Sequence, residues 1–400
     1  MSYSLKNIGI VSCASMVSKG ARAMLLLSFV RILEPSSLAG FTLAFSSAAV
    51  FLAMITPVVN RLYILESENI GLKGAREFFG FHLVLSVAAA IAAIPLCAVM
   101  GIDVLALTAF ILISAICSYS IAYYTRSLEF SKVAMVYIVQ GCMVMFIAVL
   151  LWCGKIGELT TAGALYLLVL AEVVVLSFAL LLMRKDAVPR FRFDWKNVLS
   201  LIWRKPTRYL VIFPPIAGLN QNLDVYLLDV LSSDFELASF GSALRYGGLV
   251  GVIMGASSAI LLPSVRLAVG AGQTGSLIEK HNSLGMILCG ICVVMSFVGF
   301  FVIPLIDGGR YPSAPSTASV IFVAHLVLFH SSLYMALLLE NRDYQFVVYG
   351  LIVLLLVLVP VRAGLILKWG GIGAAVSQLM ASFIAAICWK MRYGRNSCEG

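Results

Sequence analysis

Apolar residues in this chain run in long unbroken blocks. Twelve stretches of about 20 residues, bounded by charges or turn residues, fall at roughly 9–33, 38–63, 78–100, 104–124, 133–153, 162–183, 207–231, 236–263, 283–304, 317–339, 344–367 and 371–391. About 20 apolar residues in a helix match the ~30 Å hydrocarbon core of a bilayer. Transmembrane β-strands would need alternation in ~10-residue segments, and runs such as 169–183 and 350–359 do not alternate. The pattern predicts an all-α polytopic membrane protein of about twelve transmembrane helices.

Composition agrees: 61% of the 400 residues are apolar and 12% charged, against ~45–50% and ~25% in soluble domains. No stretch is polar enough to fold as a separate soluble domain. The net charge of +9 would suggest nucleic acid in a soluble protein, but here it sorts by topology, and no nucleic-acid partner is expected. With the N-terminus placed in the cytoplasm, 20 of the 28 lysines and arginines fall on the inner side, five fall on the outer side (Arg31, Lys155, Arg310, Arg362 and Lys368), and Lys19, Arg22 and Arg245 lie within spans. Positive residues stay cytoplasmic, so both termini are expected inside. The first span, interrupted by Lys19 and Arg22, makes a poor cleavable signal and is expected to remain. The nine cysteines sit mostly in apolar runs, which argues against a disulfide scaffold; Cys289 and Cys292 read as small packing residues.

The basic stretch 184–206 divides the chain into lobes 1–183 and 207–400, with six spans each. Leu38-Ala39-Gly40-Phe41 opens the second span and Leu237-Ala238-Ser239-Phe240 the eighth, while Ala93-Ile94-Pro95-Leu96 and Val302-Ile303-Pro304-Leu305 close the third and ninth. Matches at corresponding positions favour a duplicated six-helix unit, two lobes facing each other across a cleft.

Charges inside a membrane cost roughly 2.5–3.5 kcal/mol each, so each asks for a reason. Ser12, Ser15, Lys19 and Arg22 fall within about 80° of one helix face, a polar track on the first span that reads as the wall of a positively charged, hydrated cavity. Arg245 lies among glycines of the eighth span; it either pairs with an acid such as Asp224, Asp229 or Glu172 or lines a cavity. In the seventh span Pro214-Pro215 is expected to kink or break the helix. Asn220, Gln221 and Asp224 follow, a cluster that reads either as a site for a coupling proton or sodium ion or as a polar knot packing helices together. His325 and His330 read as hydrogen-bonded core residues before proton relays.

No zinc-protease, serine-hydrolase or Walker motif is present, nor any acidic cluster with metal-ligand spacing. The chain is therefore not expected to be an enzyme, and no catalytic residue, metal or cofactor is predicted beyond coupling to membrane potential, protons or sodium.

The segment from Arg31 to Phe41, the run Asp224 to Leu231, the stretch Leu237 to Arg245 and the exit Leu262-Pro263-Ser264 resemble polysaccharide export flippases of the multidrug/oligosaccharidyl-lipid/polysaccharide (MOP) superfamily. The resemblance extends to length and span count; the family's Gly-x-Tyr at the start of the eighth span is here Ala238-Ser239-Phe240. It implies a flippase moving an undecaprenyl-pyrophosphate-linked oligosaccharide, an O-antigen or exopolysaccharide repeat unit, to the outer leaflet of a bacterial inner membrane. A polysaccharide polymerase and a chain-length regulator are the protein partners it implies, with membrane lipids around them. Lys19, Arg22 and Arg245 would bind the pyrophosphate, Ser12, Ser15, Asn220 and Gln221 would line the cavity, and Asp224 would couple an ion. Rival readings are a multidrug or other small-molecule antiporter of the same superfamily, and a membrane-embedded polysaccharide polymerase or ligase.

Overall fold

The computed structural model describes residues 5–65, 75–126, 129–154, 159–182 and 207–399. Among them, regular structure is helical throughout. The helices are α1 (Leu5–Ile32), α2 (Pro35–Leu65), α3 (Ala75–Met100), α4 (Val104–Arg126), α5 (Phe130–Trp152), α6 (Thr161–Leu182), α7 (Thr207–Leu231), α8 (Asp234–Gly270), α9 (Thr274–Asp307) and α10 (Ala314–Glu340). The last stretch, Tyr344–Glu399, is two helices, α11 (344–369) and α12 (371–399), separated at Gly370.

Nine stretches of the described residues are long and apolar enough to cross a membrane, and the last of them, Tyr344–Arg395, holds both α11 and α12. Large apolar side chains on these helices are widely exposed, Val99 at 85% and Leu181 at 84% among them. Hydrocarbon is the solvent such a surface requires, and this is a multi-pass membrane protein. The described residues of α7 and α8 carry more polar groups than these stretches. α7 carries Asn220, Gln221, Asn222, Asp224 and Asp229, and α8 opens with Asp234 and Glu236 and contains Arg245.

The chain forms two compact units, residues 1–33 with 43–219 and residues 34–42 with 220–400. The stretch 184–206, where the sequence places the division, lies outside the described residues.

In the first unit α1 packs along α5, and α4 packs against α3 and α6. Gly141 makes the α1–α5 approach close: a Cβ there would stand 3.3 Å from the Cα of Ser18, a contact only glycine leaves comfortable. A core of Cys117, Tyr124, Val133, Val136, Val175 and Ala179 joins α4, α5 and α6, tied by Tyr124 Oη donating to the Ala179 carbonyl at 2.6 Å. In the second unit α10 is the central helix, packed by α8, α9 and the α11–α12 pair. Val265, Leu333, Ala336 and Leu337 form one of its cores, and the Cys292 thiol meets the Phe322 carbonyl at 3.8 Å, a packing position.

Of the two outcomes expected at Pro214-Pro215, a break is not the one found. The helix α7 runs from Thr207 to Leu231 with Pro214 and Pro215 inside it. Proline's fixed φ is already helical, so the pair removes hydrogen bonds to earlier carbonyls without having to end the helix. A break does fall at Gly370, between the last two apolar stretches of the sequence, with φ 53° and ψ −130°, a conformation open in practice to glycine alone. The Glu236 carboxylate accepts the Gly371 N–H at 2.8 Å, placing an anion on the first amide of α12.

Candidate functional site

Among the described residues, each unit buries a hydrogen-bonded polar network between its helices. In the first, Ser18 on α1 donates to Gln140 Oε1 on α5 at 2.7 Å. Gln140 Nε2 in turn donates to the Glu172 carboxylate on α6, at 3.2 Å to Oε1 and 3.4 Å to Oε2. Arg22, one turn along α1 from Ser18, forms an ion pair with Glu172. The Glu172 side chain is 4% exposed and that of Arg22 is 33% exposed. These residues stand near the middles of Ile10–Ile32, Phe130–Trp152 and Thr161–Leu182, at the depth where an unpaired charge is costliest.

The geometry follows from helical spacing. Ser18 and Arg22 are four residues apart on one face of α1, and the glycine at 141 lets α5 come close enough for Gln140 to reach both Ser18 and Glu172. Lys19 is exposed beside this network, Ser12 and Ser15 are half-buried further along α1, and Ser15 hydrogen-bonds Tyr137. The structure thus brings Lys19 and Arg22 together as the α1 periodicity predicts. It adds that Arg22 has a carboxylate partner, whereas Lys19 presents its ammonium at the surface of the unit.

Arg245 belongs to the second unit. It is 7% exposed, with its guanidinium carbon 5.3 Å from the centre of the Phe41 ring, a cation–π approach. Of the acids the sequence offers it, Glu172 pairs with Arg22 and Asp224 with Arg362. Two of the glycines around it serve close packing: a Cβ at Gly241 would run into Thr42, and one at Gly247 would lie 2.6 Å from Ile321. His330 sits against Gly285 and meets His281 and Phe329 edge-on, and His281 stacks on Phe329 with centroids 4.2 Å apart.

The second polar centre is built on α7. Arg362 of α11 donates from Nη1 to Asp224 Oδ2 at 2.9 Å and to the Asn220 carbonyl at 3.1 Å, and from Nη2 to Asn220 Oδ1 at 2.7 Å. Ser377 of α12 donates to Asp224 Oδ1 at 2.5 Å. Arg362 and Asp224 are each 1% exposed. The residues 362 and 377 flank the break at Gly370, so the two helices meeting there hold the carboxylate from both sides. Assignment of Arg362 to an outer connection is therefore corrected: a helix that extends to 369 carries it inward, and Asp224 supplies the countercharge that makes burial tolerable. Gln221, the next residue on α7, is exposed.

Sequence reasoning passes over Gln140, Ser377 and the pairing role of Arg362. A signal exists for the first, because Gln140 is an amide in the middle of the apolar run Phe130–Trp152. Among the described residues, no group of three or more His, Cys, Asp or Glu side chains is placed to hold a metal ion.

No protein-family model matches the sequence, and no curated protein matches it. Solved structures do match. An inward-facing conformation of a multidrug resistance MATE family transporter of the MOP superfamily aligns at a TM-score of 0.67 and 15% identity, over 95% of each chain. A MATE protein in complex with MaL6 aligns at 0.65 and 15% identity, over 98% of this chain and 96% of the other. The outward-facing conformation of a multidrug resistance MATE family transporter aligns at 0.60 and 15% identity, over 99% and 97%. Across nearly its whole length, this chain has the fold of the MATE transporters of the MOP superfamily.

Proposed function

We propose that this chain is a flippase of the MOP superfamily. It carries an undecaprenyl-pyrophosphate-linked oligosaccharide from the cytoplasmic to the periplasmic leaflet of a bacterial inner membrane, with both termini cytoplasmic and two six-helix lobes alternating access. One observation carries the reading: an exposed Lys19 stands one turn from a third-exposed Arg22, at mid-span on a helix that is otherwise apolar. A pyrophosphate is an anion that hydrocarbon rejects, and ammonium and guanidinium donors offer it charge-assisted hydrogen bonds. Glu172, itself held by Gln140, takes one nitrogen of the Arg22 guanidinium, which leaves donors on its remaining edges for phosphate oxygens. Ser12 and Ser15 extend the polar face along α1, and the oligosaccharide's hydroxyls would find partners there.

The energy source on this reading is the membrane potential, worth roughly 2.3 kcal/mol per charge per 100 mV. Cations of the empty carrier are drawn back toward the negative cytoplasm, which resets it for the next substrate.

A second reading, a multidrug or other small-molecule antiporter, is favoured by a different observation, the buried carboxylate of Glu172 beside the same helix face. An organic cation would bind there only by displacing Arg22 from the ion pair, and the exposed Lys19 would repel it.

The experiment is reconstitution of the purified chain in vesicles with labelled lipid-linked oligosaccharide. Transport should follow an imposed potential and fall to background in the Lys19→Ala, Arg22→Ala double variant. Undiminished flipping by that variant would remove the anion-site claim. Efflux of a fluorescent organic cation against a proton or sodium gradient, with no flipping, would establish the antiporter instead.

A further inference from the structure

The centre on α7 has the make-up of a cation site. Three oxygens converge on one locus from a single turn of helix, the Asp224 carboxylate, the Asn220 side-chain amide and the Asn220 main-chain carbonyl, and all three accept from the same guanidinium. Hard cations choose oxygen donors of this kind, carboxylate, amide carbonyl and main-chain carbonyl. The Ser377 hydroxyl completes the ring on the carboxylate's other oxygen. Every member lies in the second unit, within the apolar interior, at 1% exposure for the charged pair.

We propose that the Asn220–Asp224 turn is a monovalent-cation site whose permanent occupant is the chain's own Arg362. The guanidinium is a cation on a tether. It carries one positive charge, as sodium would, and it reaches the same oxygens, but it cannot dissociate into the bulk. The site is held in its loaded state, and Asp224 takes part in no exchange of sodium across the membrane. Geometry supports permanence: Arg362 enters from α11 and Ser377 from α12, on either side of the Gly370 break, so the carboxylate is held from two helices at once. The inference does not rest on the transported substrate.

The test uses the purified full-length chain in detergent at mildly alkaline pH, with radioactive sodium binding as the readout and protons too scarce to neutralise the carboxylate. Wild type is expected to bind no sodium that the Asp224→Asn substitution removes. The Arg362→Ala variant, with the tether cut back and the buried carboxylate left without its countercharge, is expected to bind one sodium per chain. Addition of Asp224→Asn should abolish that binding, and millimolar methylguanidinium, a free copy of the lost group, should displace the sodium and raise the variant's melting temperature. Arg362→Lys, which keeps a tethered cation, should bind none. If Arg362→Ala does not fold, Arg362→Gln takes its place in the same assay, since it keeps most of the stem that packs between the helices. Asp224-dependent sodium binding by wild type would overturn the proposal. Failure of the folded neutral variants to take up either sodium or methylguanidinium would do so equally.

Discussion

The ion pair between Arg22 and Glu172 makes an asymmetric prediction, because its partners are unequally buried. Removing one member of a buried pair leaves a charge without compensation, at a cost of about 3–5 kcal/mol. Glu172 is the buried member at 4% exposure, and Arg22 is one-third exposed. Arg22→Ala strands the carboxylate; two donor contacts from Gln140 remain, at 3.2 and 3.4 Å, and soften the loss. A destabilisation of about 2–4 kcal/mol follows. Glu172→Gln leaves the guanidinium instead, which can hydrate through its exposed third and still donate to the new amide, so the cost is about 1 kcal/mol. Combining the two removes both charges, and the double variant should be more stable than Arg22→Ala alone by about 1–2 kcal/mol, a coupling expected of residues in contact. Unfolding of the four proteins in the same detergent, by denaturant or by heat, supplies the comparison. Glu172→Gln costing as much as Arg22→Ala, or a double variant no more stable than Arg22→Ala, would refute the reasoning. The same series separates folding from function: the double variant regains stability but should still lack flipping activity, since the guanidinium that meets the pyrophosphate is gone.

Other positions give independent checks. Gly370→Ala places a Cβ against the Glu236 carboxylate at a backbone conformation of φ 53° and ψ −130°; about 1–3 kcal/mol of stability should be lost, read as a lower melting temperature. Tyr124→Phe deletes the 2.6 Å hydrogen bond to the Ala179 carbonyl in the first unit and should cost about 1 kcal/mol. On the orientation proposed here, single cysteines replacing the exposed Ser36 and Ser233 should react with an impermeant thiol reagent from the periplasmic side, and one replacing the exposed Gln273 should not. Reversed labelling at Ser36 and Ser233 would invert the proposed topology.

Much of the fold is legible along the chain. A bilayer is a solvent of fixed thickness that satisfies no backbone hydrogen bond, so a block of about 20 apolar residues has one outcome, a helix. Each span is decided by its own residues, which is why stretches such as Phe130–Trp152 and Thr161–Leu182 fall within a few residues of where the pattern puts them. Lys19 and Arg22 share a face for the same local reason, the 100° step of a helix. The pairing of charges is not local. Glu172 is 150 residues from Arg22 and Asp224 is 138 from Arg362, and each acid had several basic residues open to it in the sequence. Packing chose among them, through contacts as small as the missing Cβ of Gly141. Helix breaks divide in the same way. Pro214-Pro215 is a strong signal in one dimension, yet α7 continues through it; the break at Gly370 falls where the apolar pattern already separates its last two stretches, and Glu236, brought in from α8, caps the helix that restarts at Gly371. Sequence alone determined that the chain must be helices in a membrane, since solvent acts on each segment separately. Which buried charge neutralises which was left to the tertiary structure, since in hydrocarbon a charge is tolerable only beside the partner that packing delivers.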